Sequence, residues 1–85
     1  MADPFKMRRK KLLWRANHRG IREMDILLGG FAAQRIADMT RIELDALEAL
    51  IEFSDQEMLS WITGETSIPD TITNPLLPEF LRFRP

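Results

Sequence analysis

The densest chemistry in this 85-residue chain lies in Arg19-Gly20-Ile21-Arg22-Glu23-Met24-Asp25, where guanidinium and carboxylate groups surround a glycine. Groups of this kind make charge-assisted hydrogen bonds, either to a partner or to one another. The local alternative is structural. Gly20 suits a helix end, Glu23 suits the first turn of the next helix, and Arg19 or Arg22 is spaced to pair with Glu23. That arrangement accounts for the residue types but not for the crowding of charge, because exposed ion pairs contribute only about 0 to 1 kcal/mol each. A binding surface accounts for both, and Trp14, Arg15 and His18 just upstream would extend it.

Other reactive chemistry is scarce. There is one histidine and no cysteine, and no acidic spacing resembles a calcium loop, so a metal centre is not expected. His18 has no serine or acid placed by sequence to complete a nucleophilic set. Gly29-Gly30 sits inside a helical pattern rather than after a strand, which argues against a phosphate loop. The sequence therefore predicts no catalytic activity and no cofactor of the chain's own. Nucleic acid is not an expected partner either. The basic front end invites one, but the helix that would have to enter a groove opens with Glu23 and Asp25, which phosphates repel.

The elements that must position these residues are helical. Pro4 suits a first turn, and no Gly or Pro interrupts a first helix from about Phe5 to His18. Met7, Leu13, Trp14 and Asn17 fall on one side, expected to pack, while Arg8, Lys11, Arg15 and His18 or Arg19 recur as a basic stripe. A second helix from about Ile21 to Ala37 carries Met24, Leu27, Leu28, Phe31, Ala32 and Ile36, and reads as the most buried. The pair Gly29-Gly30 within it predicts close packing against a neighbour. Thr40 with Glu43, and Ser54 with Glu57, match the capping box and open two further helices, near Arg41 to Glu52 and Asp55 to Thr63. Gly64 closes the fourth, and Asn74-Pro75 begins an irregular fifth with Leu76, Leu77, Phe80 and Leu81 as its apolar face.

The expected fold is all-α, a small single-domain bundle of about five short helices spanning residues 1–85, with flexible ends at about 1–4 and 82–85. A composition of 45% hydrophobic and 29% charged residues supports a folded domain. At this length only about 60 to 65% of the unfolded surface is buried, which leaves little room for a deep cavity. Net charge is −1, yet bases crowd the first 22 residues and carboxylates dominate the rest, an asymmetry suited to steering a partner. No apolar run approaches the roughly 18 residues of a membrane span, so no membrane insertion is expected. The chain reads as mature and cytoplasmic, and the lack of cysteine fits a reducing compartment.

Taken together, Trp14, the run His18-Arg19-Gly20-Ile21-Arg22-Glu23-Met24-Asp25-Ile26 and the later Ser54-Asp55-Gln56-Glu57-Met58-Leu59-Ser60-Trp61 resemble the small succinate dehydrogenase assembly factors. That family carries an R-G-x-x-E signature and an acidic helix start followed by a tryptophan. The resemblance implies a helical chaperone, not an enzyme, that binds the flavoprotein subunit of succinate dehydrogenase, and in bacteria often that of fumarate reductase. It would promote covalent FAD attachment there, with the flavin carried by the partner. A bacterial member would be cytoplasmic and a eukaryotic one would work in the mitochondrial matrix. Arg19, Gly20 and Glu23 match the signature, Arg22 and Asp25 its charged flanks, and all five are implied to touch the partner. An antitoxin-like protein-binding module is the alternative within the same resemblance.

Overall fold

A computed structural model describes residues 2–85. Its elements are α1 (Lys6–Asn17), α2 (Arg22–Arg35), a 3-10 turn (Ile36–Asp38), α3 (Arg41–Glu52), α4 (Asp55–Thr63) and α5 (Leu77–Arg82), with no strand among the described residues. The molecule measures 45 × 27 × 19 Å, so its thin dimension is about two helix diameters. The expected all-helical bundle is what forms.

The start of α1 is anchored by Asp3, which accepts the Phe5 N–H at 2.9 Å and the Arg9 Nε–H at 2.7 Å. The Phe5 N–H and then the Arg9 guanidinium hold the Asp3 carboxyl below its ordinary range. The packing face of α1 differs from the expected one. Leu12 and Ala16 are buried, whereas Met7 is 75% and Trp14 62% exposed. The basic stripe supplies the reason. Arg8 donates to Asp45 and Glu48, both at 2.7 Å, and Arg15 to Glu52 at 2.6 Å, so this stripe faces α3 and turns Met7 and Trp14 outward. The Arg8 guanidinium is held above its ordinary value by Glu48 and then Asp45.

Helix α2 lies across α1 and buries Met24, Leu28, Phe31 and Ala32, as its sequence predicts. Gly29 explains how close the two helices come, because a Cβ there would stand 2.2 Å from Asn17 Oδ1 and 3.3 Å from Asn17 Cα. The helix then tightens into the 3-10 turn earlier than expected, and Arg9 Nη1 donates to the Ile36 carbonyl there.

Local capping sets the next two elements. At α3 the box is complete, with Glu43 N–H to Thr40 Oγ1 at 3.2 Å and Thr40 N–H to Glu43 Oε1 at 3.0 Å. At α4 the Ser54 hydroxyl oxygen accepts the Glu57 N–H at 3.1 Å, but Glu57 takes the Ser54 hydroxyl proton instead of the backbone one. Gly64, with φ of 78°, ends α4 in the left-handed region that other residues rarely adopt. Leu44, Leu47, Leu50 and Ile51 from α3 join Met58 and Trp61 from α4 in the core.

Asn74 then ties the C-terminal segment back to α3 through the Ala46 carbonyl at 2.9 Å. It sends Leu76, Leu77 and Phe80 inward. Phe31 meets Phe80 and Phe83 edge-on, with ring centroids 5.6 and 5.9 Å apart.

Candidate functional site

Helix α1 stops at Asn17 and α2 begins at Arg22, so residues 18–21 form the connection that the sequence marks as charged. The turn is made without a left-handed residue, since Gly64 is the one positive-φ position among the described residues. Gly20 therefore does not act as the permissive helix terminator expected of it. It is exposed, and the atom closest to a Cβ built there is Asp55 Oδ2 at 3.7 Å, an ordinary contact. What glycine provides here is a bare backbone at the surface.

Arg19 is directed inward. Its Nε donates to Asp55 Oδ1 at 2.8 Å, its Nη2 to the Phe53 carbonyl at 2.5 Å, and its Nη1 to the Ile51 carbonyl. Its side chain is only 9% exposed. The Arg19 N–H is in turn held by Asp25 Oδ1 at 2.6 Å, which places the Asp25 carboxylate inside the connection and leaves it half-buried. Neither Arg19 nor Arg22 forms the expected pair with Glu23. The sequence offered Glu23 as the local partner at the usual helical spacing. The partner found is Asp55, 36 positions away, and it was legible only as an acid in the first turn of a helix.

Arg22 and Glu23 stand exposed on the first turn of α2, with no side-chain hydrogen bond or ion pair to other described residues. On α1 the Trp14 indole is stacked on the His18 ring, centroids 4.0 Å apart and 13° from parallel, and His18 Nδ1 lies 2.7 Å from the Trp14 carbonyl. Trp14, Arg15, His18, Arg19, Ile51 and Asp55 line a shallow depression between α1 and the α3–α4 junction. The structure thus brings seven of the eight expected residues around one connection in two roles. Gly20, Arg22, Glu23, Trp14 and His18 face outward, while Arg19 and Asp25 hold the turn. The eighth, Arg15, is half engaged, being paired with Glu52 across the edge of the depression.

The exposed groups of this surface can form charge-assisted hydrogen bonds and aromatic contacts. Among the described residues no three acidic or histidine side chains gather as a metal site, and no helix is long and apolar enough to cross a membrane.

Comparison with known proteins gives this surface its context. Residues 10–84 match the family described as flavinator of succinate dehydrogenase. The chain is 40% identical over 75 residues to the FAD assembly factor SdhE of Acetobacter pasteurianus, covering 88% of this chain and 69% of that protein. It is 41% identical over 56 residues to the mitochondrial succinate dehydrogenase assembly factor 2 of Candida glabrata, covering 66% of this chain and 37% of that one. The Dictyostelium discoideum protein of the same name is 33% identical over 69 residues, covering 81% of this chain and 49% of its own length. The chain therefore spans less than half the length of these two mitochondrial relatives. With nearly all of its helical domain matched, the chain belongs to the flavinator of succinate dehydrogenase family.

Proposed function

We propose that this chain binds the flavoprotein subunit of succinate dehydrogenase, and in a bacterial setting also that of fumarate reductase, and promotes covalent attachment of FAD to it. The flavin belongs to the partner. The observation that supports this reading is the exposed face at the α1–α2 connection. Arg8, Arg9, Arg15, Arg19, Arg35 and Arg41 are paired within the chain, whereas Arg22 and Glu23, like Arg82 and the lysines elsewhere, are exposed without an ion pair among the described residues, and they stand beside the bare backbone of Gly20. Exposed charges of both signs next to an exposed aromatic pair suit docking to a polar protein surface.

Glu23 accepts hydrogen bonds from the partner and Arg22 donates them, while Gly20 lets the two backbones approach closely. Trp14 and His18 add apolar area at the edge of the same face. The chain works by favouring the partner conformation in which attachment proceeds, through its higher affinity for that conformation.

The test is covalent flavin fluorescence of the flavoprotein subunit in denaturing gels, from cells lacking this protein and complemented with wild type or Gly20→Arg. Fluorescence restored by wild type alone is the expected result. Undiminished fluorescence in the deletion strain would overturn the reading.

A further inference from the structure

The geometry points to Asp55 as a positioning residue for the partner-binding face, acting through Arg19; this deepens the proposed function and rests on it. Asp55 opens α4, and one of its oxygens takes the Arg19 Nε–H at 2.8 Å while the other lies 3.7 Å from where a Gly20 Cβ would stand. The two remaining nitrogens of Arg19 donate to the carbonyls of Ile51 and Phe53, at the C-terminal end of α3, where no helical N–H is available to satisfy such groups. Asp25 of α2 fixes the Arg19 backbone from the other side at 2.6 Å. One residue thereby ties the α1–α2 connection to the end of α3 and the start of α4.

The side chains of Arg19 and Asp55 are 9% and 19% exposed, so the pair is largely withdrawn from water. With Asp55 removed, Arg19 becomes a mostly buried cation without its counter-ion, which breaks such arrangements far more readily than loss of an exposed pair. The carbonyl bonds alone then have to hold the connection, and Gly20 and the first turn of α2 lose their fixed direction. Arg22 and Glu23 must be ordered at the moment of binding, and affinity falls accordingly.

The experiment uses the full chain and the purified flavoprotein subunit, with the dissociation constant measured by calorimetry and amide hydrogen exchange followed at residues 20–23 of the free protein. Asp55→Ala is expected to speed exchange there and to weaken binding, each by about tenfold or more. Asp55→Asn keeps an oxygen acceptor for the Nε–H but not the counter-charge, and is expected to fall between Asp55→Ala and wild type in both. Arg19→Lys keeps a charge beside Asp55 but cannot reach both carbonyls, and gives the same loosening and weakening while the ion pair still supports the fold. Arg35→Ala, which breaks the ion pairs to Glu43 and Glu79 away from this face, is expected to lower the melting temperature without changing affinity.

Wild-type affinity in Asp55→Ala, or exchange at residues 20–23 no faster than in wild type, overturns the positioning role. A wild-type chain that fails to bind the subunit overturns the functional reading beneath it, a result distinguishable because it needs no variant.

Discussion

The indole of Trp14 lies flat against the imidazole of His18 on the outer surface of α1, 4.0 Å between centroids, although both residues are exposed. Trp14 lies in the last turn of α1 and His18 caps that helix, with its Nδ1 2.7 Å from the Trp14 carbonyl, so the stack is braced locally at the helix end and outside the core. An aromatic surface fixed in advance has little rotamer freedom to lose on binding.

Trp14→Ala is therefore expected to leave the melting temperature within about 2 °C of wild type. Affinity for the flavoprotein subunit should fall by about tenfold or more, the effect of removing an interface aromatic. Calorimetry and thermal melts check the two halves. A melting temperature lowered by 10 °C or so with unchanged affinity would instead make Trp14 a structural residue.

Gly29→Ala is expected to destabilise the fold by about 1–2 kcal/mol, even though alanine favours a helix by about 1 kcal/mol. The new methyl would overlap the Asn17 side chain and crowd its Cα, and the bond from Asn17 Nδ2 to the Leu13 carbonyl would be lost. Gly30→Ala, which meets only the edge of the Phe83 ring at 3.2 Å, should stay within about 0.5 kcal/mol of wild type. Urea denaturation measures both, and Asn17→Ala should relieve most of the Gly29→Ala penalty.

These two helices show where sequence suffices and where it does not. The core positions Leu44, Leu47, Leu50 and Met58 and the caps Thr40 and Ser54 were legible because their signals are local: a helical repeat, or a hydroxyl and a carboxylate three residues apart. The packing face of α1 was not. Its apolar residues fall on two sides, and only the acids of α3, more than 35 positions away, decide that Arg8 and Arg15 face inward. The clustering of motif residues around one connection was legible too, but the inward role of Arg19 depends on backbone carbonyls that no residue type announces.

Acid should weaken the fold partly through Glu43. The Thr40 N–H, followed by other groups that include the Arg35 guanidinium, holds its carboxyl below the ordinary value of 4.5. A carboxyl depressed on folding contributes stability that is fully present above its unfolded value and is lost as pH falls through the lower folded one. Asp3 behaves the same way below its ordinary 3.8. Glu43→Gln is thus expected to be less stable than wild type at neutral pH, and to lose less on acidification from pH 5 to pH 3. Equal acid slopes in the two proteins would refute the assignment.

Salt should act mainly on the contact between α1 and α3. Arg8 with Asp45 and Glu48, and Arg15 with Glu52, are partly exposed pairs that ions screen. Raising ionic strength from about 0.05 to 0.5 M is expected to destabilise the wild type slightly, by no more than about 1 kcal/mol per pair. The double variant Arg8→Met, Arg15→Met should show a smaller salt response in the same denaturation series. An undiminished response would locate the sensitivity elsewhere.

The placement of the two tryptophans makes the molecule its own instrument. The chain has no tyrosine, so its near-ultraviolet emission comes from Trp14 and Trp61. Trp61 is only 8% exposed and meets Phe53 edge-on at 5.2 Å, in an apolar setting that shifts its light to the blue. Trp14, 62% exposed, emits from water. Unfolding therefore reports through one fluorophore and docking at the α1–α2 connection through the other, and the two colours can be followed in a single cuvette without a dye.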